Sequence, residues 1–259
     1  MAVNPPNPAT PLQGLIQAAR ADPLRHALEF DLLNQPVVSA VAASGGMNAP
    51  LKLMLGNGWT AYFKAFSSVN MPLAMQYGHT DHMPPLLEVV AWKLAERIGP
   101  PLVEVMQPVV LREYDLGGGI LELGAISLGA NGIPNQVHVL NVEPVARICG
   151  FFDCLIGQQD RHDGNYKFES AQWRLGLFDH GFAFARPGDR FNSSRWVESC
   201  HSNGWVNLEP WQVDALDRLD ASADTLGIAP MLPTDRLDAL RVRVDLMRGS
   251  GQILALGQF

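Results

Sequence analysis

The chain has 259 residues, 47% of them hydrophobic and 17% charged, enough to bury a core of ordinary size and too apolar for disorder. A formal net charge of −7 with no cluster of Lys and Arg argues against a surface built for nucleic acid or an anionic membrane. Three cysteines (Cys149, Cys154, Cys200) without a C-x-x-C pair argue against a disulfide framework and a structural zinc site.

The start of the chain has neither a basic segment nor an apolar h-region. The longest apolar run, near residues 145 to 157, contains Arg147 and Asp153 and is too short for a bilayer, so the expectation is a soluble cytoplasmic protein. Residues 4 to 11 carry four prolines and read as an irregular arm. Leu12, Leu15, Ile16, Ala19, Leu24, Leu28 and Leu32 then trace a helical stripe broken at Pro23, making residues 1 to 36 an arm with a helical extension. Short strands follow at 37 to 43, 51 to 55 and 60 to 66, separated by SGG and GNG turns. The segment 84 to 98 opens with Pro, ends at Gly99 and aligns Leu87, Val90, Ala91, Leu94 and Ile98, which predicts a helix with one apolar face. Strands over 103 to 113, bent at Pro108, and over 119 to 126 complete a β-rich lobe spanning 37 to 141.

Gly117 to Gly119 read as a turn or connection near the hinge between lobes. His79 and His82 read as members of a polar loop. From Val142 onward the chain reads as a mainly helical lobe, 142 to 259, with a hairpin near 165 to 179 and Trp196, Trp205 and Trp211 packing its interior. The predicted class is α+β, in two lobes closing over a cleft.

The densest chemical signal is the stretch from Ile156 to Phe184, which brings Asp160, His162, Asn165 and Asp179 close in sequence. A hairpin centred near Gln172 would set Asn165 opposite Asp179, roughly 5 Å apart across the ladder. An amide oxygen and a carboxylate suit Mg²⁺, which takes hard oxygen ligands and substrate phosphates. Asp160, just before the hairpin, is placed to orient a hydroxyl nucleophile and accept its proton. The competing reading is structural, because Asp, Asn and Gly in tight loops also make turns and caps.

The ordered string DRHDGN at 160 to 165, followed by a strand and DHG at 179 to 181, resembles the atypical kinases of the HipA and phosphatidylinositol 3-/4-kinase group. The resemblance implies a bilobal protein-kinase-like fold binding ATP and Mg²⁺ between the lobes. It implies that Asp160 is catalytic, that His162 supports the transferring phosphoryl, and that Asn165 and Asp179 hold the metal. His180 stands where Phe is commoner. Lys64, inside AYFKAF, is either an edge lysine or the lysine that binds ATP phosphates. Glu88 is either a surface carboxylate or that lysine's ion-pair partner. Ser44, Gly45 and Gly46 resemble the small-residue loop over the phosphates, and no G-x-G-x-x-G or P-loop motif is present. The acceptor implied is a protein Ser or Thr hydroxyl. The alternatives are a small-molecule or lipid hydroxyl, or a nucleotide-binding pseudokinase that recruits a partner.

Overall fold

The computed structural model describes residues 11–43, 49–79, 81–186, 188–189, 193–221 and 226–258. Five antiparallel strands form the first sheet: β1 (Val37–Ala42), β2 (Leu51–Leu55), β3 (Thr60–Ala65), β4 (Val109–Asp115) and β5 (Leu121–Leu128), in the order β1-β2-β3-β5-β4. Alternation decides the two faces, since successive side chains of a strand point to opposite sides. Ala61, Phe63 and Ala65 are buried on one face with Leu53, Val110, Ile126 and Leu32. Thr60, Tyr62 and Lys64 share the other face, with Lys52 paired to Tyr62 and Ala125 paired to Lys64.

Two strand expectations are corrected at their starts. Residues 102 to 105 form a short helix, α5 (Leu102–Val105), and β4 begins only after Pro108. A proline has no N–H to give a ladder and therefore belongs at a strand's edge or start; its carbonyl still accepts from the Leu128 N–H at 3.0 Å. Likewise β5 begins at Leu121, because Gly117, Gly118 and Gly119 all have positive φ and form the tip of the β4–β5 hairpin. These glycines are therefore not at the connection between lobes, which follows β5.

Helices α1 (Pro11–Ala21) and α2 (Ala27–Asn34) are separated at Pro23 as the broken stripe predicts. His26 caps α2 by accepting from the Leu28 N–H, while Glu29 accepts from the His26 N–H at 2.9 Å. Helix α4 (Pro84–Ile98) is buried nearly all round, not along one face. The physical reason is its partners on both sides. Val109, Leu111 and Ala125 of the sheet share its apolar cluster, while Asp22 reaches Lys93 at 2.6 Å and Glu29 accepts from the Trp92 indole at 3.1 Å.

The second lobe comprises α6 (Glu143–Ile156), a small sheet of β6 (Ile133–Pro134), β7 (Tyr166–Glu169) and β8 (Arg174–Leu177), then α7 (Arg195–Asn203), α8 (Pro210–Ala221) and α9 (Thr234–Ser250). A short helix, α3 (Met71–Gln76), lies between β3 and α4. Trp196 is fully buried, and Trp205 and Trp211 pack against the same core. The three thiols are free and buried. Among the described residues no helix is long and apolar enough to cross a membrane.

Candidate active site

The loop between α6 and β7 is organised by an arginine that sequence reasoning did not single out. Arg161 is fully buried and donates to both Asp153 carboxylate oxygens through Nε, at 3.2 and 3.1 Å. Its Nη1 donates to the carbonyls of Asn165 at 2.9 Å and Phe178 at 2.6 Å, and its Nη2 donates to His180 Nδ1 at 2.9 Å. Ser194 Oγ adds a bond to Asp153 at 2.7 Å. One guanidinium thus fixes residues 161 to 165 and 178 to 180 to the same point. The signal that could have found it is Asp153, a carboxylate inside an apolar helix, because a buried charge requires a partner. His180 is more than a packing substitute for Phe. Burial, reinforced by the Arg161 charge, holds its imidazole well below the usual range, so it is neutral and accepts from Arg161.

Lys64 projects from the central strand β3, and its Nζ lies 2.5 Å from Glu88 Oε1 and 2.8 Å from Asp179 Oδ1. It is therefore not an edge lysine, and Glu88, only 3% exposed, is not a surface carboxylate. Burial alone would lower the Lys64 ammonium, but the charges of Asp179 and Glu88 outweigh it and raise the group above its ordinary range. Burial raises the Glu88 carboxyl against the opposing pull of Lys64. Burial pushes Asp179 upward too, yet Lys64 prevails and keeps it below the usual carboxylate range. A single cation joins a sheet of the first lobe, a helix of the same lobe and a loop of the second.

The hairpin register differs by one residue from the sequence expectation. Tyr166 pairs with Leu177 and Glu169 with Arg174, leaving a four-residue loop, so the position facing Asn165 is Phe178. The Phe178 N–H donates to the Asn165 carbonyl at 3.3 Å. Asp179 lies one residue further, where a left-handed backbone (φ 62°) and a bond from Gln158 Nε2 to its carbonyl at 3.0 Å set its course. Asn165 is buried and donates through Nδ2 to the Asp160 carbonyl at 2.6 Å, which leaves Oδ1 as its available oxygen. His162 is exposed; its Nδ1 accepts from the Gly164 N–H at 2.9 Å and caps the turn 163–165. Burial raises the Asp160 carboxyl, while the nearby His162 charge lowers it and the Asp179 charge raises it. Tyr77, also missed in the sequence, points its hydroxyl at Asp160 Oδ1, 3.4 Å away.

His79 corrects the polar-loop expectation. It is fully buried, accepts from Arg236 Nη2 at 3.1 Å and lies against Phe182. Ser44, Gly45 and Gly46 lie outside the described residues.

The donor chemistry fits a divalent cation held jointly with phosphate. Glu88 and Asp179 present two carboxylates to the one Lys64 ammonium, with Asp160 near Asp179, while the Arg161 charge is already matched by Asp153. Among the described residues no group of three or more His, Cys, Asp and Glu forms a metal cage. Asn165 Oδ1 and the Asp179 carboxylate are hard-oxygen donors of the kind that suit a divalent cation sharing its shell with water and phosphate. Past the end of β5, a cavity of about 320 Å³ is lined by Lys52, Trp59, Thr60, Tyr62, Gly129 and Lys167. Lys167 donates to the Ala130 carbonyl at 3.2 Å, and burial followed by the Lys52 charge lowers its ammonium. A cavity of about 570 Å³ between α1, α4 and β4 lies apart from these groups.

No protein-family model matches the chain, and no curated protein matches it in sequence. Solved structures do. The Golgi casein kinase with Mn/ADP bound superposes with a TM-score of 0.58 at 14% identity, covering 86% of this chain and 74% of that one. The hydra Fam20 structure with sugar gives 0.59 at 15% identity, covering 86% and 87%. What the described strands, helices and superpositions establish together is a bilobal α+β fold of the kinase-like kind.

Proposed function

We propose that the protein is an ATP-dependent phosphotransferase that passes the γ-phosphoryl group to a hydroxyl acceptor. The observation that carries this reading is the Lys64 ammonium held between Glu88 and Asp179, with the Asp179 charge also felt at Asp160. Catalysis of phosphoryl transfer is mostly positioning and charge neutralisation, and these are the groups it requires.

In this reading Lys64 binds the nucleotide phosphates and Glu88 keeps it aimed into the cleft. Asn165 and Asp179 would hold Mg²⁺, and Ser44, Gly45 and Gly46, outside the described residues, are the small-residue loop that the resemblance assigns to the phosphates. Mg-ATP, when bound, would supply the transferable phosphoryl group, with the magnesium charge set against the phosphates and the Asp179 carboxylate. Asp160 orients the acceptor hydroxyl and takes its proton; His162, on the same loop, would support the transferring phosphoryl. The cavity beside Tyr62 and Gly129 suits the base, with donor groups from Lys52 and Lys167. The Mn/ADP complex of the Golgi casein kinase supports a nucleotide and a divalent metal, and the DRHDGN string supports a HipA-like subgroup with a protein Ser or Thr as acceptor.

Calorimetric titration of ATP with and without magnesium tests the site, and binding should require the metal and vanish in Asp179→Ala. Asp160→Ala should keep that binding and lose transfer by a factor of about 10² to 10⁴, the usual range for a general base. Metal-independent binding, or full transfer without Asp160, would sink the assignment.

A further inference from the structure

Tyr77 has no part in the reaction just described, yet its hydroxyl stands at the group that reaction uses to receive an acceptor. The side chain leaves the C-terminus of α3, stacks on Phe182 with ring centroids 4.3 Å apart, and directs its hydroxyl to Asp160 Oδ1 at 3.4 Å. Phe182 follows Gly181 directly, so the ring lies against the end of the segment that carries Asp179.

The backbone beneath Tyr77 is fixed from several sides. Its own N–H and that of His79 both donate to the Ala74 carbonyl at 3.0 Å. The next carbonyl, of Gly78, accepts from Arg236 Nη2 at 3.3 Å and from Arg186 Nη2. Gly78 has φ +76° and a Cβ there would collide with the Asp189 carboxylate, so glycine is required. His79 is locked beneath Phe182 and Arg236. A hydroxyl presented to Asp160 by so anchored a chain is a built feature of the site.

We propose that Tyr77 is itself a phosphoryl acceptor, modified in cis, and that its modification vacates the acceptor position for other hydroxyls. This rests on the phosphotransferase reading above. In the step, a bond forms between Tyr77 Oη and the γ-phosphorus of ATP while the bond from that phosphorus to the bridging β,γ-oxygen breaks. ADP leaves with that electron pair, and the phenolic proton passes to Asp160. Burial and the Asp160 charge raise the phenol above its usual range, so it holds its proton until the step. Afterwards a phosphate carrying nearly two negative charges stands beside Asp160, with Asp179 adjacent, and like-charge repulsion drives it out. Arg186 and Arg236, which both donate to the Gly78 carbonyl one residue away, are cations on the same anchored segment.

The test is to incubate phosphatase-treated full chain with ATP and magnesium, follow intact mass, and locate the modification by peptide sequencing. One phosphoryl group on Tyr77, gained at a rate independent of protein concentration and lost in Tyr77→Phe and Asp160→Ala, is the expected result. A rate that rises with protein concentration, or a label at another residue that survives Tyr77→Phe, overturns modification in cis. If Tyr77 stays unlabelled while ATP is consumed or an added protein is phosphorylated in an Asp160-dependent way, the proposal falls and the phosphotransferase reading stands. If magnesium and ATP do not bind at all, both fall together.

Discussion

His79 is packed out of solvent between Phe182 and Arg236, and burial, with the charges of Arg236 and Arg186, holds its imidazole down to about 2. In the unfolded chain the same group takes a proton near pH 6.5, so the unfolded state binds more protons below that value. The sign follows. His79 makes no demand on stability above pH 6.5, and as pH falls below it the fold loses about 1.4 kcal/mol per unit. Urea unfolding at pH 7 and pH 5 should therefore show wild type losing about 2 kcal/mol more than His79→Gln, which keeps an acceptor for Arg236 but cannot titrate. Equal losses in the two proteins would mean that His79 is not held neutral. At this scale the ordered residues Asp160, Asn165 and Asp179 were legible because they sit in one short stretch, and Lys64 and Glu88 because each interrupts an apolar pattern. Tyr77 was not legible: it meets Asp160 across 83 residues, and no local pattern encodes that meeting.

Helix α4 carries Glu88 toward Lys64 on one side and Lys93 and Arg97 toward the N-terminal helices on the other. Both of those cations bond to one carboxylate, Asp22, which follows α1, and Glu29 lies 4.0 Å from Lys93. Their side chains are only 2% and 3% exposed. Removing one partner of a buried pair leaves an uncompensated charge and costs about 3 to 5 kcal/mol. Asp22→Ala should lower the urea midpoint accordingly and, by loosening α4, weaken magnesium-dependent ATP binding. Asp22→Asn, which keeps an acceptor oxygen, should lose less. An Asp22→Ala protein as stable as wild type would show that α1 does not brace this helix. Elements with strong periodicity or punctuation, such as α4 between its prolines and Gly99, were readable from sequence. The β7–β8 register was not, since an even-numbered loop and an odd one leave almost the same residue pattern. Nor was the all-round burial of α4, which needs α1 and α2 in place before Lys93 and Trp92 have anywhere to go.

The two lobes are joined by more than the strand-to-helix connection and the Lys64–Asp179 bridge. One apolar cluster runs from Leu86, Val90 and Leu94 of α4 through Phe151 and Leu155 of α6 to Leu240 and Met247 of α9. Arg218 of α8 donates to the Ile98 carbonyl at the end of α4 at 2.9 Å, and α1 of the extension packs on the turn Ala229–Met231. A division into lobes is visible in the sequence as a change from strands to helices, but this shared core is not, because its members are remote in the chain. Its consequence is cooperative: neither lobe can expose its side of the cluster without stripping the other. Calorimetry should show one unfolding transition with calorimetric and van 't Hoff enthalpies equal, the mark of two-state behaviour. Magnesium and ATP at about 100 times the dissociation constant should stabilise that single transition by about 2.7 kcal/mol, shifting all of it, because the ligand binds only the folded cleft. Two resolved transitions, or a ligand shift confined to one, would mean that the lobes unfold as separate units and that the cluster spanning α4, α6 and α9 does not couple them.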